Sequence, residues 1–309
     1  GRERRPNAIR RHGGEMFRLL VLDIDGTLLD PSDVVTPVVR DAIAAARARG
    51  VEVALATGRR LSTTLPIVEQ LGIELPLVLS NGALVWSTRD EAPLNTEDFT
   101  PQHLSMVVEQ AVGDGIAPLL LQGPAHGSGI FLADPPATAT GYMDAFHRPR
   151  PEVRRLDPAA LSGLPGVLRV DLIGPAAALA RTSRALSGAG LSVFDTGPTR
   201  WRFDPPRRAA GLREVNVHMP GVSKASGVAL LAADLGIGMD QVVAVGDGEN
   251  DLPLLEAAGV GVAMGNAPAH VRARADVVVH GHDEDGVAEA IYRFVLGGEL
   301  TPVENRARP

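Results

Sequence analysis

Asp23 and Asp25 stand one residue apart at the end of an apolar run, Leu19 to Leu22, and Gly26 and Thr27 follow at once. A run of that length reads as a short buried strand. Bare carboxylates are too costly to bury within it, so both acids should emerge at its C-terminal end. Two acids at one point attract a divalent cation, and an acid beside a cation can handle a phosphoryl group. A second acidic cluster lies far down the chain. Gly246-Asp247-Gly248-Glu249-Asn250-Asp251 follows the apolar run Val242 to Val245. Hard cations take oxygen ligands of this kind. A polar turn with an aspartate capping the next helix explains Asp251 well and Asp247 poorly.

Lys224 is the single lysine among 30 basic residues. In an arginine background, it marks a place where a compact ammonium serves and a planar fork does not. It opens a helix expected to run to Leu235. That end of a helix is electrostatically wrong for a cation. An anion bound there would remove the conflict, because helix N-termini and lysines both hold phosphate.

The elements that must position these residues follow an α/β rhythm. Thr36-Pro37 starts a helix that stops at Gly50, Val51 to Ala56 is a strand ending in Thr57-Gly58-Arg59, and a helix spans Leu61 to Leu71. Leu77 to Leu79 is a third strand, ending in Ser80-Asn81-Gly82. Strand–helix–strand units of this length imply parallel pairing with right-handed crossovers. Successive strands ending in hydroxyl, amide or acid groups before glycine describe a doubly wound, Rossmann-like sheet with a site along one edge.

From Ala83 to Arg208 the alternation fails, and eight of the eleven aromatic residues fall there. We expect an inserted α+β domain over 83–208 with its own core. The first domain is then discontinuous, 16–82 and 209–298. Within the insertion, strands are expected at Leu119–Gln122, Gly129–Leu132, Val167–Ile173, Ser192–Asp195 and Trp201–Phe203, and helices at Leu104–Val112 and Ala176–Ala189. Arg200 and Arg202 alternate on the last of these strands and read as an exposed basic face. His218 reads as a core histidine, and His280, His282, Asp283 and Glu284 as a solvated loop.

Composition narrows the function classes. The chain has 309 residues, 45% hydrophobic and 22% charged, as in ordinary globular proteins. A net charge of -7 argues against nucleic acid as the main partner. The absence of cysteine excludes a zinc-thiolate site and a cysteine nucleophile. No apolar run is long enough to span a bilayer, so a cytoplasmic protein is expected. Residues 1–15 are arginine-rich without an apolar stretch and are expected to be a disordered extension ahead of a start at Met16. Residues 299–309 are expected to be a tail.

The ordered set of motifs resembles the haloacid dehalogenase (HAD) superfamily. Asp23-Ile24-Asp25-Gly26-Thr27 matches its first motif, Thr57 with Gly58-Arg59 its second, Lys224 its third and Gly246 to Asp251 its fourth. The long insertion, with Ser80-Asn81-Gly82, Met264-Gly265-Asn266-Ala267 and Asp285-Gly286-Val287, resembles the Cof-type branch, which holds sugar-phosphate phosphatases beneath a large α+β cap. The resemblance implies a Mg²⁺-dependent phosphatase of small phosphorylated molecules. It implies Asp23 as nucleophile, forming an aspartyl-phosphate, and Asp25 as acid and base. Mg²⁺ would be held by Asp23, the Asp25 carbonyl and Asp247, with Asp251 reaching it through water. Gly26, Thr57, Gly58 and Lys224 would hold the phosphoryl group, and Asn250 would orient Lys224 or the phosphate. Many relatives have serine where this chain has Gly248, which implies one hydrogen bond fewer near Asp247. A phosphotransferase or mutase with the same intermediate, or a non-catalytic phosphometabolite-binding protein, are the alternatives. A dehydrogenase is disfavoured, because no Gly-x-Gly-x-x-Gly follows the first strand.

Overall fold

The structure is a computed structural model and describes residues 17–72, 74–133, 153–198 and 212–297. It forms two compact units, 1–94 with 224–309, and 95–223. In chain order, the first unit begins with β1 (Leu19–Leu22), α1 (Pro37–Ala48), β2 (Glu52–Ala56), α2 (Leu61–Leu71), β3 (Pro76–Leu79), β4 (Leu84–Ser87) and β5 (Ala92–Thr96). The second unit holds α3 (Pro101–Gly113), β6 (Pro118–Gln122), β7 (Ile130–Ala133), β8 (Val153–Leu156), α4 (Pro158–Leu161), β9 (Val167–Pro175), α5 (Ala176–Gly188), β10 (Ser192–Pro198) and β11 (Leu212–His218). The chain then completes the first unit with α6 (Lys224–Asp234), β12 (Val242–Gly246), α7 (Leu252–Ala257), β13 (Val260–Ala263), α8 (Ala269–Arg272), β14 (Val277–Val278) and α9 (Gly286–Ala290).

The first unit is built on a sheet ordered β14-β13-β12-β1-β2-β3-β4-β5. β1 lies between β12 and β2, parallel to both, with Leu22 registered on Val245 and on Leu55. All four residues of β1 are buried, as a strand covered on both faces requires. Its register therefore brings the ends of β12 and β2 level with its own. The hydrogen bond from the Asp23 N–H to the Val245 carbonyl, 3.0 Å, carries the alignment one residue past the strand. From β1 the strand order runs outward through β2 and β3 on one side and through β12, β13 and β14 on the other, and the crevice at such a switch point is where open α/β sheets bind ligands.

Local chemistry sets the element ends. The Thr36 hydroxyl accepts from the Val39 N–H at 3.2 Å and caps α1, with proline next. α2 ends at Gly72, whose φ of +64° is the left-handed conformation that closes helices. Near the site, α6 packs so closely that a Cβ on Gly227 would lie 2.5 Å from Val78 Cγ1 and 2.9 Å from Gly82 Cα. That approach brings the start of α6 against the turn after β3.

Two expectations are corrected in this unit. The break in texture at Ala83 is not where the units part: β4 returns antiparallel on β3, pairing Leu79 with Leu84, and β5 extends the same sheet to the division at Leu94/Asn95. The rhythm changes there because parallel pairing gives way to a hairpin. At the far side the division falls at Ser223/Lys224 rather than 208/209, since β11 belongs to the second sheet.

The second unit has a sheet ordered β10-β11-β9-β6-β7-β8, with β9 antiparallel to both β6 and β11. Phe99, Leu104, Val107, Val170, Leu172, Leu179, Leu186 and Val217 join in its core. β8 was absent from the expected elements, because Val-Arg-Arg-Leu carries no alternation. The expected strand Trp201–Phe203, with Arg200 and Arg202, lies outside the described residues. His218 is fully buried, with Nδ1 3.2 Å from the Leu168 carbonyl and its ring tilted 58° against Phe194. It is a core histidine.

Candidate functional site

Four loops meet at the C-terminal edge of the first unit's sheet, after β1, β2, β3 and β12. The β1 loop turns at Gly26, where φ is +78° and an added Cβ would lie 2.4 Å from Asp247 Oδ2. Only glycine accepts that backbone and that proximity. The turn brings Thr27 Oγ1 to 3.2 Å from Asp247 Oδ1, tying the first and last loops together.

Asp23, Asp247 and Asp251 converge, each offering a carboxylate oxygen within 4.8 Å of the others. Lys224 reaches into them from the first turn of α6, although it is only 1% exposed. Its Nζ donates to Asp23 Oδ1 and to Asp251 Oδ1, both at 2.6 Å. The conflict between a cation and a helix N-terminus is therefore met by two carboxylates of the chain itself. Burial opposes the ammonium, but Asp23 and Asp251 outweigh it and hold Lys224 firmly protonated. Burial, with Asp251 adding to it, pushes Asp23 well above the usual carboxylate range, and Lys224 offsets only part of this. Asp247 is pushed up to about 6, again by burial first and Asp251 second.

Three carboxylates share one ammonium, and two of them hold their negative charge only with difficulty. A further positive charge would relieve them. The donors are all hard oxygens, so a divalent cation such as Mg²⁺ fits better than a softer metal.

The other expected site residues fall around this cluster. Thr57 is buried directly after β2, and its Oγ1 accepts from the Arg59 N–H at 3.1 Å, which leaves the hydroxyl proton available to a ligand. Gly58 lies against Asn81, 3.1 Å from Oδ1 to a hypothetical Cβ. Asp25 stands apart: its carboxylate is 53% exposed and forks onto Arg59 rather than joining the other three. Only its main chain remains for the expected metal contact. Asn250, expected to orient Lys224 or the phosphate, donates to Asn81 Oδ1 at 2.9 Å.

Asp251 does not cap α7, whose N-terminus has no side-chain cap. Its Oδ2 accepts from the Asp247 and Gly248 N–H groups at 3.0 and 2.8 Å, while its Oδ1 faces Lys224. It therefore folds the β12 loop back on itself and anchors the lysine. At Gly248, a Cβ would lie 2.5 Å from Asn250 Oδ1. A serine there would displace Asn250 from its present place.

Three residues of the site had no role assigned from sequence. Arg59 pairs with Asp25. Asn81, fully buried with φ of +53°, receives Asn250 and donates its N–H to the Thr57 carbonyl at 3.0 Å. Asn266 donates to the Gly26 carbonyl at 2.8 Å and to Asp247 Oδ2 at 3.3 Å. The last two sit in segments flagged only as signatures, Ser80-Asn81-Gly82 and Met264-Gly265-Asn266-Ala267. An asparagine next to a glycine just beyond a strand end was the signal available in both segments. His280 pairs with Glu289 at 2.7 Å, and His282 Nδ1 lies 2.8 Å from the Leu29 carbonyl. No second cluster of metal-ligating groups occurs among the described residues.

The family model for haloacid dehalogenase-like hydrolases matches residues 20–124 and 211–291. The chain belongs to that family. It is similar to a phosphoglycolate phosphatase of Natronomonas pharaonis, 30% identical over 90% of this chain and 98% of that protein. It is also similar to the pyridoxal phosphate phosphatase YbhA of Escherichia coli, 27% identical over 90% and 99%. Among solved structures, BT1666 of Bacteroides thetaiotaomicron, a phosphatase of the HAD superfamily, covers 92% of this chain with 97% of its own at 28% identity and a TM-score of 0.73. The chain is thus a HAD-like enzyme of the Cof type, with a doubly wound core and an α+β cap. No described helix is long and apolar enough to cross a membrane.

Proposed function

We propose that this HAD-like hydrolase is a cytoplasmic, Mg²⁺-dependent phosphatase of small-molecule phosphomonoesters, and that Asp23 carries the phosphoryl group during turnover. The observation behind the reading is the placement of Asp23. Of the two buried carboxylates that Lys224 holds at 2.6 Å, it is the one at the mouth of β1, beside Asp247 and Asp251. Lys224 fixes one Asp23 oxygen, so the other is the one to meet phosphorus. Bound among Asp23, Asp247 and the Asp25 carbonyl, with Asp251 behind, Mg²⁺ would shield an anionic phosphoryl group from the attacking carboxylate.

The chain's own groups do the rest. The Thr57 hydroxyl and the Lys224 ammonium hold phosphoryl oxygens, as do main-chain N–H groups around Gly26 and Gly58. Asn250, kept in place by Asn81, lines the same space. Asp25, outside the carboxylate cluster and open to solvent, donates a proton to the departing alcohol and later removes one from the hydrolytic water. Sugar phosphates are the first substrate class, and cofactor phosphates such as pyridoxal phosphate, named for one relative, are the second.

The test is hydrolysis of p-nitrophenyl phosphate with Mg²⁺ and with EDTA, in the native protein and in Asp23→Asn, followed by a panel of phosphometabolites. Turnover that needs both Mg²⁺ and Asp23 supports the reading. Tight Mg²⁺ binding by calorimetry with no turnover of any phosphate would overturn it in favour of a binding protein.

A further inference from the structure

The carboxylates of these loops are sorted into two groups. Asp23, Asp247 and Asp251 converge, and Lys224 serves that cluster. Asp25, two residues from Asp23, is taken by a different cation. Arg59 Nε donates to Asp25 Oδ2 at 2.7 Å and Nη2 donates to Oδ1 at 2.5 Å. The parallel pair fixes both the direction of the carboxyl and its plane, which a single ammonium cannot do.

Arg59 is itself anchored. Its side chain is 15% exposed against 53% for Asp25, so the better-held partner is the arginine. Nη1 donates to the Thr63 carbonyl at 3.3 Å, in the first turn of α2. Its N–H donates to Thr57 Oγ1 at 3.1 Å and its carbonyl accepts the Ser80 N–H at 3.0 Å. The clamp is therefore fixed to the loop that carries Thr57.

We propose that Arg59 is the positioning residue for Asp25: its fork fixes the plane and direction of that carboxyl, which faces the leaving oxygen of the substrate. The proposal rests on the aspartyl-phosphate reading above. In the first step an Asp23 oxygen bonds to phosphorus. The bond from phosphorus to the leaving oxygen breaks, its electron pair going to that oxygen, which takes the proton of the Asp25 carboxyl. The Asp25 carboxylate so formed keeps both oxygens within reach of the Arg59 fork. In the second step it accepts a proton from water as the water oxygen bonds to phosphorus and the Asp23–phosphorus linkage breaks. A misdirected Asp25 therefore harms the first step most where the leaving oxygen most needs a proton.

The experiment compares kcat/KM, which reads phosphoryl transfer to Asp23, for p-nitrophenyl phosphate, phenyl phosphate and glucose 6-phosphate. These stand in rising order of need for a proton. In Arg59→Gln all three values fall, and the loss grows along the series, by about tenfold or more between its ends. Arg59→Lys keeps the charge without the fork and shows the same widening; if Gln does not fold, Lys carries the test. Equal losses on all three substrates would overturn the proposal, as would recovery of the native ratio by Lys. A native enzyme without Asp23-dependent turnover of p-nitrophenyl phosphate would instead refute the phosphatase reading, and this inference with it.

Discussion

Replacing Lys224 by methionine removes the one ammonium that serves three carboxylates. The side chain is 1% exposed and makes two ion pairs of 2.6 Å, to Asp23 and to Asp251. At an effective dielectric of about 20, two unit charges so close attract by about 6 kcal/mol. Desolvation of each ion takes back several kcal/mol, so the intact arrangement is worth far less than the sum of its attractions. The variant keeps the desolvation of Asp23 and Asp251 and loses what balanced it. Removing one member of a buried pair costs about 3–5 kcal/mol, and two stranded partners place Lys224→Met near the upper end. Urea unfolding at pH 7.5 without Mg²⁺ measures the loss. Two further signs follow. Mg²⁺ should restore more stability to Lys224→Met than to the native chain, because it supplies the missing positive charge. Lowering the pH towards 5 should narrow the gap, because carboxyls whose folded pKa is raised are more stable when protonated. A loss below about 1 kcal/mol, with no Mg²⁺ effect, would refute the assignment of Lys224 as the counter-charge of this cluster.

Asn266→Ala removes the contacts to the Gly26 carbonyl and Asp247 Oδ2, and should weaken Mg²⁺ activation about 10–100-fold while leaving the melting temperature nearly unchanged. Titration of activity against Mg²⁺ checks it. Gly227→Val forces a side chain into Val78 and Gly82 and should cost about 1–3 kcal/mol, with a further loss of activity as the start of α6 shifts. Denaturant unfolding and turnover together read both effects. His218 is held down to about 3, by burial first and Arg169 second, so the fold holds it neutral. Its contribution is complete above its ordinary value of 6.5 and is lost as the pH falls towards about 3. Hydrogen exchange of β9 and β11 between pH 7 and pH 4 should show the second unit loosening, and His218→Phe should blunt that dependence.

The strand ends were legible because buried parallel strands read as unbroken apolar runs, and polar residues just beyond them have nowhere to go but the edge. The placing of Asp23, Thr57 and Asp247 beyond strand ends follows from that alone, whereas the position of β1 between β2 and β12 comes only from the structure. Lys224 was legible through composition, as a single lysine among arginines. Asp251 was half legible: its acid type suggested either a cap or a ligand, and only the fold shows it bracing Gly248 and facing Lys224. Arg59, Asn81 and Asn266 act through partners remote in sequence, such as Gly26, 240 residues before Asn266. No local pattern announces such pairs. The boundary at Ala83 was misplaced because a hairpin and a domain junction both end a parallel rhythm. β8 was missed because Arg154 and Arg155 stand side by side in a four-residue edge strand.

The account stands or falls on whether Asp23 takes the phosphoryl group. Asp25→Asn should still pass the phosphoryl group of p-nitrophenyl phosphate to Asp23, since that leaving group needs little help, and should be slow to release it. Rapid quenching of Asp25→Asn with this substrate and Mg²⁺, followed by intact-protein and peptide mass spectrometry, reads the outcome directly. The account predicts a burst of p-nitrophenol equal to the enzyme, with one phosphoryl group on the peptide that contains Asp23 and none when Asp23→Asn is added. A burst without an adduct, or an adduct on another residue, would contradict it.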